Sequence, residues 1–211
     1  MTKVLIVDDH PVLRTGLKRI LENAPEDVVV GEAATGEEAL QQVRGYVWDV
    51  IVLDVTLPDR SALDLIKQIK SDRPQLPVLA LSAHAEPHYV IRMLHGGAAG
   101  YLTKEAAPEH LLTAIRELAA GATYLSHPLA QRLVFAMATG RSGVLPHERL
   151  SDREFEVLCL LVSGKTVTQT ARVLHISVKT VSTHRGRILV KTGLKTTADL
   201  IRYALLHQLV P

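Results

Sequence analysis

The stretch Asp49-Val50-Ile51-Val52-Leu53-Asp54 decides the fold. Its four central residues are all apolar, as expected of a strand buried on both faces of a parallel sheet. Asp54 then projects a carboxylate from the strand's carboxyl edge, where open α/β sheets build their sites.

Asp54 has company. Asp8 and Asp9 follow the apolar run Val4-Leu5-Ile6-Val7, Ser82 ends Val78-Leu79-Ala80-Leu81, and Lys104 follows Gly100-Tyr101-Leu102. A lone Asp after a strand is usually a turn residue or helix cap. Three acids, a hydroxyl and an amine, all at strand ends, are hard to produce by turn chemistry alone.

The pattern repeats outward from this strand. Strands are predicted at 4–7, 28–30, 50–53, 78–81 and 99–102, and helices near 12–23, 36–44, 62–71, 87–95 and 108–120. Five such units predict a doubly wound α/β fold with a five-stranded parallel sheet covered on both faces. Residues 126–138 read as a further helix, and Thr139-Gly140-Arg141-Ser142-Gly143 with Pro146 marks a linker at about 139–149. We divide the chain into domains at 1–121 and 148–211, joined by 122–147.

The second half shows no convincing strand. Ser151 with Glu154, and Thr166 with Gln169, have capping-box spacing. Ser177 and Thr196 or Thr197 open two further helices, and Gly164 and Gly193 can end helices. The result is a small all-α domain of four helices. Charge divides the same way. Residues 1–125 carry 12 Lys and Arg against 17 Asp and Glu, whereas residues 149–211 carry 10 against 4. An acidic half joined to a basic half predicts different partners, with nucleic acid for the basic one. No run approaches the about 18 apolar residues of a membrane span. The N-terminus reads as a first strand and not a signal peptide, so a cytoplasmic protein is expected. The single Cys159 excludes an internal disulfide and reads as a small core residue.

The acidic group has a coherent chemistry. An aspartyl phosphate needs an attacking carboxylate, a divalent cation on the phosphoryl oxygens, and a fixed cation and donor for the rest. Asp54 supplies the nucleophile. Asp8 and Asp9 supply hard oxygen ligands suited to Mg²⁺, with Lys104 as the cation and Ser82 as the donor. His10 and His84 lie near, but a carboxylate-rich pocket favours Mg²⁺ over an imidazole-seeking metal.

These segments, with Leu57-Pro58 and Thr103, resemble the receiver domain of two-component response regulators over about residues 1–121. The resemblance implies a flavodoxin-like sheet of order 2-1-3-4-5. It implies Mg²⁺ held by Asp8 or Asp9, by Asp54 and by the carbonyl of Thr56, and phosphotransfer from a histidine kinase to Asp54. It also implies that Ser82 moves inward on phosphorylation, that Tyr101 changes rotamer with it, and that the face of the fourth helix and fifth strand is altered. Leu57 stands where the family usually has Met. Ala62 stands where it usually has Gly, which would cost roughly 1 kcal/mol if the turn needs positive φ.

In the basic half, Thr166 to Thr192 reads as helix-turn-helix around His175-Ile176-Ser177. Val178, Val181, Ile188 and Leu189 share a face that should pack on the domain. Lys179, Thr183 and Arg187 lie opposite, flanked by Ser182 and Gly186. Cations among small hydroxyl residues suit a major groove. Leu150-Ser151-Asp152-Arg153-Glu154, Glu156-Val157-Leu158, Gly164, Ser177 to His184 (including Thr180) and Lys191-Thr192-Gly193-Leu194 resemble the LuxR-type helix-turn-helix. Joined to a receiver, this makes the NarL/FixJ class. The resemblance implies base-facing Ser182, Thr183 and Gly186, with Lys179, His184 and Arg187 on the DNA backbone; helical geometry puts Arg185 near the packed face. It implies dimerisation through the last helix, and RNA polymerase as a further candidate partner. Thr168, Thr170 and Gly186 depart from the family's usual residues.

The leading reading is therefore a phosphorylation-controlled, homodimerising DNA-binding regulator and not an enzyme. A phosphatase of haloacid-dehalogenase type would need an acid two residues after Asp54, where Thr56 stands. A phosphorylation-independent interaction module with weakened DNA specificity is the alternative; the intact Asp8, Asp9, Asp54, Ser82 and Lys104 argue against it.

Overall fold

The computed structural model describes residues 1–25, 27–82, 87–138, 145–174, 176–207 and 209. His84, His175 and linker positions 139–144, all named above, lie outside them. The chain divides into two compact units, Met1–Val134 and Phe135–Pro211.

In the first unit β1 (Thr2–Val7), β2 (Val28–Ala33), β3 (Val50–Asp54), β4 (Val78–Ser82) and β5 (Gly100–Thr103) alternate with α1 (Pro11–Glu22), α2 (Gly36–Gly45), α3 (Ala62–Asp72), α4 (Pro87–His95) and α5 (Ala107–Ala119). All pairings are parallel, in the expected order. The count of five strands needs correction: a sixth, β6 (Tyr124–Leu125), adds in parallel beyond β5, giving the order β2-β1-β3-β4-β5-β6.

Alternate residues of each strand feed two cores. Leu5, Val7, Ile51, Leu53, Val78, Ala80 and Tyr101 pack under α2, α3 and α4. Val4, Ile6, Val50, Val52, Leu79, Leu81 and Leu102 pack with α1 and α5. The central β3 and β4 are buried at every position, which is why they carry no polar alternation. α6 (His127–Ala138) follows β6, and its Leu129 and Leu133 join the first core.

Ala62 corrects a second expectation. It is the first residue of α3, after extended Ser61 at φ −65° and ψ 133°. It needs no positive φ, so the loop carries no glycine penalty there.

The second unit holds α7 (Asp152–Val162), α8 (Val167–Val173), α9 (Val178–Thr192) and α10 (Thr197–Leu206), preceded by a 3-10 turn at Pro146–Arg149. Their starts follow from capping chemistry. Ser151 with Glu154, Thr166 with Gln169, and Thr196 with Asp199 form reciprocal capping boxes. Ser177 accepts from the Thr180 amide. Gly193, at φ +69°, ends α9 in the left-handed conformation that glycine adopts without a Cβ penalty. Among the described residues no helix is long and apolar enough to cross a membrane.

Candidate functional sites

The strand ends bring the predicted acidic group together. Asp54 is completely buried and Asp8 nearly so, while Asp9 is half-buried. Lys104, just past β5, lies 2.8 Å from Asp54 Oδ2 and 3.3 Å from Asp8 Oδ2. Its main-chain amide donates to the Ser82 carbonyl at 2.7 Å, which fixes the loop to β4. The other oxygen of Asp54 accepts from the Thr56 amide at 3.0 Å and from its hydroxyl at 2.9 Å. Ser82 and Tyr101 are both fully buried.

Electrostatics holds this arrangement. Burial works against the Lys104 ammonium, but the hydrogen bond and charge of Asp54, with the charge of Asp8, outweigh it and raise its pKa. Three carboxylates against one ammonium leave a formal excess of two negative charges, which a divalent cation would balance. Ligand atoms of Asp8, Asp9, His10 and Asp54 all lie within 4.8 Å of one another. Asp9 Oδ1 is enclosed without an aligned donor, although His10 Nδ1 stands 2.7 Å away. A carboxylate oxygen without an aligned donor, beside two other carboxylates, suits a hard cation.

Three contributors escaped the sequence reading. Arg14 donates to the Asp8 carbonyl at 2.6 Å and to Glu32 at 3.1 Å, tying the acidic loop to β2. Asp59 accepts from the Gly36 and Glu37 amides at 2.9 and 3.1 Å. Arg60 donates to Glu37 at 2.8 Å. All three belong to long-range contacts with no local signature; only the placement of Arg14 in the first turns after Asp8 and Asp9 hinted at its part.

On the second unit, Lys179, Ser182, Thr183, Gly186 and Arg187 form an exposed stripe along α9, continued by Val190. Val181 and Ile188 are fully buried, as expected of the packed face. Val178 is 48% exposed and lies outside that face, a correction that follows from its place in the first turn, before α9 meets its neighbours. Thr180 is half-buried and its hydroxyl pairs with Ser177 at 2.7 Å. Ser182 and Thr183 are exposed and donate to carbonyls four residues back, which leaves their hydroxyl oxygens able to accept. His184 is half-buried; burial pushes its pKa down, Glu154 pulls it up, and Arg153 and Arg187 push it down. Thr170 is fully buried, and its hydroxyl has no partner among the described residues.

Comparison with known proteins matches these two units to two families. The response regulator receiver domain matches residues 4–116, and the luxR family of bacterial regulatory proteins matches residues 148–204. The chain belongs to the response regulators. It is 32% identical to response regulator UvrY of Shigella flexneri, over 99% of this chain and 96% of that one. It is 34% identical to response regulator GacA of Pseudomonas viridiflava, over 100% and 98%. Among solved structures, RcsB from Salmonella enterica serovar Typhimurium, bound to promoter rprA in the presence of phosphomimetic BeF3-, is similar at 29% identity and TM-score 0.66, covering 96% of this chain and 98% of that one. As a response regulator the protein is a transcription regulator with a receiver and a LuxR-type output unit, not an enzyme.

Proposed function

We propose that this response regulator accepts a phosphoryl group from a histidine kinase on Asp54, and that the modification controls dimerisation and binding of double-stranded DNA. Residues 1–121 act as the receiver, 122–147 as the connection and 148–211 as the output domain, in the cytoplasm. Asp8, Asp9, Asp54 and the Thr56 carbonyl would hold Mg²⁺. Bound there, the ion would neutralise charge on the phosphoryl oxygens. The Asp54 carboxylate forms the new P–O bond as the P–N bond of the donor phosphohistidine breaks, and the departing imidazole takes a proton. Lys104 remains to hold a phosphoryl oxygen, and the Ser82 hydroxyl donates to another.

The observation that carries this reading is the Lys104 ammonium within bonding distance of both Asp54 and Asp8. The exposed Lys179, Ser182, Thr183, Gly186 and Arg187 stripe supports α9 as the DNA-reading helix, with cations for phosphates and small groups for base edges. DNA binding seen for the similar RcsB supports the same assignment.

Incubation with acetyl phosphate and Mg²⁺ should label the protein, and Asp54→Asn should abolish the label; undiminished labelling would sink the assignment. Lys179→Ala with Arg187→Ala should weaken DNA binding and flatten its salt dependence by about two phosphate contacts. Unchanged affinity and slope would remove α9 from the interface.

A further inference from the structure

Within the connecting segment 122–147, β6 and the start of α6 have a specific neighbour. Tyr101 on β5 pairs in register with Leu125 on β6. Leu129 and Leu133, one turn apart on α6, are 3% and 8% exposed. They belong to the same apolar cluster as Tyr101 and the α4 residues Val90 and Met93, with Leu125 packed against it. Tyr101 itself is completely buried, the largest side chain to be so among the described residues. Gly100 makes the approach of β6 close: a Cβ there would stand 2.9 Å from the Tyr124 carbonyl.

We infer that β6 and the first two turns of α6 form a strap over the β5 switch position, and that rotation of Tyr101 and undocking of this strap are one event. The inference rests on the reading of Asp54 as phosphoacceptor and of Tyr101 as the residue that responds. Packed interiors have no spare volume for an aromatic ring to change rotamer beside fixed neighbours. Tyr101 therefore cannot turn without displacing neighbours, and Leu125 stands beside it in register while Leu129 and Leu133 share its cluster. β6 is held by only two residue pairs, at the edge of the sheet, so it is the element that yields first.

The coupling is reciprocal by thermodynamic necessity. Loosening the strap must favour the activated receiver as surely as activation loosens the strap. The test uses the full chain, beryllofluoride with Mg²⁺ as the phosphoryl mimic, and two readouts. In wild type, hydrogen exchange at the amides of 124–133 should speed up when the mimic binds, while those of β3 stay protected. In Leu129→Ala/Leu133→Ala, affinity for the mimic should rise about fivefold or more, the lower end of ordinary coupling between sites. Asp54→Asn should remove both effects. Protection at 124–133 that is unchanged or increased on binding of the mimic overturns the strap, whether or not the double variant folds well. An unchanged affinity in a folded double variant overturns the reciprocal coupling. Failure of the mimic to bind wild type at all would instead overturn the phosphoacceptor reading, so the two failures are distinguishable.

Discussion

Replacing Lys104 with methionine tests the electrostatic logic of the acidic site without touching a carboxylate. The substitution keeps an unbranched stem of similar length and removes the ammonium that stands 2.8 Å from Asp54 and 3.3 Å from Asp8. Both carboxylates are buried, so neither can turn to water for compensation. Leaving a buried charge without its partner typically costs about 3–5 kcal/mol. Lys104 keeps 19% of its side chain exposed, and water can follow the methionine in, so about 2–3 kcal/mol is the better figure here. For a unit of this size that lowers the melting temperature by roughly 10 °C. The charge left behind then makes the variant the better cation site, because the excess of two negative charges becomes three. Mg²⁺ at a hundred times its dissociation constant should restore about 2.7 kcal/mol.

The assay is calorimetric melting of wild type and Lys104→Met in chelator and in Mg²⁺, at constant ionic strength so that screening is not mistaken for binding. Neutral pH is suitable. A lysine whose pKa is raised by folding gives its full stabilisation below the ordinary lysine value and loses it as pH rises through the higher folded value. The substitution is therefore read in a range where Lys104 does not titrate. A variant as stable as wild type in chelator would refute the account. So would Mg²⁺ stabilising wild type more than the variant.

Three further outcomes follow from the output unit. Thr170→Val should stabilise it by about 1–3 kcal/mol, because the change is nearly isosteric and removes a buried, unpartnered hydroxyl; a loss of stability in thermal melts would mean that the hydroxyl is satisfied. Gly186→Ala should stabilise α9 by up to about 1 kcal/mol, since a Cβ there meets nothing within 4 Å; unchanged melting would contradict this. Burial opposes the charge of Glu154, but hydrogen bonds from Lys191 and Ser151 outweigh it and depress its pKa. Its stabilising contribution is thus present above the ordinary glutamate value and lost as pH falls through the lower folded one. Glu154→Gln should flatten that acid limb in unfolding curves, and an unaltered limb would show that other groups govern it.

Much of this was legible in the sequence because it rests on local rules. Continuous apolar runs identified β3 and β4, and cap residues three positions apart located the starts of α7 and α8. The acidic site was legible because parallel strands deliver their carboxyl ends to one edge of the sheet. What stayed hidden depends on distant partners. Tyr124-Leu125 is too short to show a period, and it is a strand only because Gly100 lets it approach β5 closely. Arg14 reads as a surface cation until the Asp8 carbonyl is beside it. Helical spacing places Val178 on the packed face, yet spacing alone does not tell where the neighbouring helices end.

Ala62 shows how a local rule can be correct and still not apply. An alanine forced to positive φ would strain the loop that follows Asp54, but this loop turns differently. Asp59 reaches across to α2 and accepts from two of its first amides, which satisfies donors that every helix start leaves open. Burial opposes the Asp59 charge, and those amides outweigh burial and hold its pKa below the ordinary range. Arg60 then pairs with Glu37 and lies against Gly36, where a Cβ would come 2.5 Å from Arg60 Cδ. The reversal is thus completed before Ser61, and α3 can begin at Ala62 with ordinary helical geometry. The loop between Asp54 and α3 is held by side chains of Asp59 and Arg60 in place of a glycine's conformational freedom. Its shape therefore depends on α2, an element with no visible link to Asp54 in the sequence.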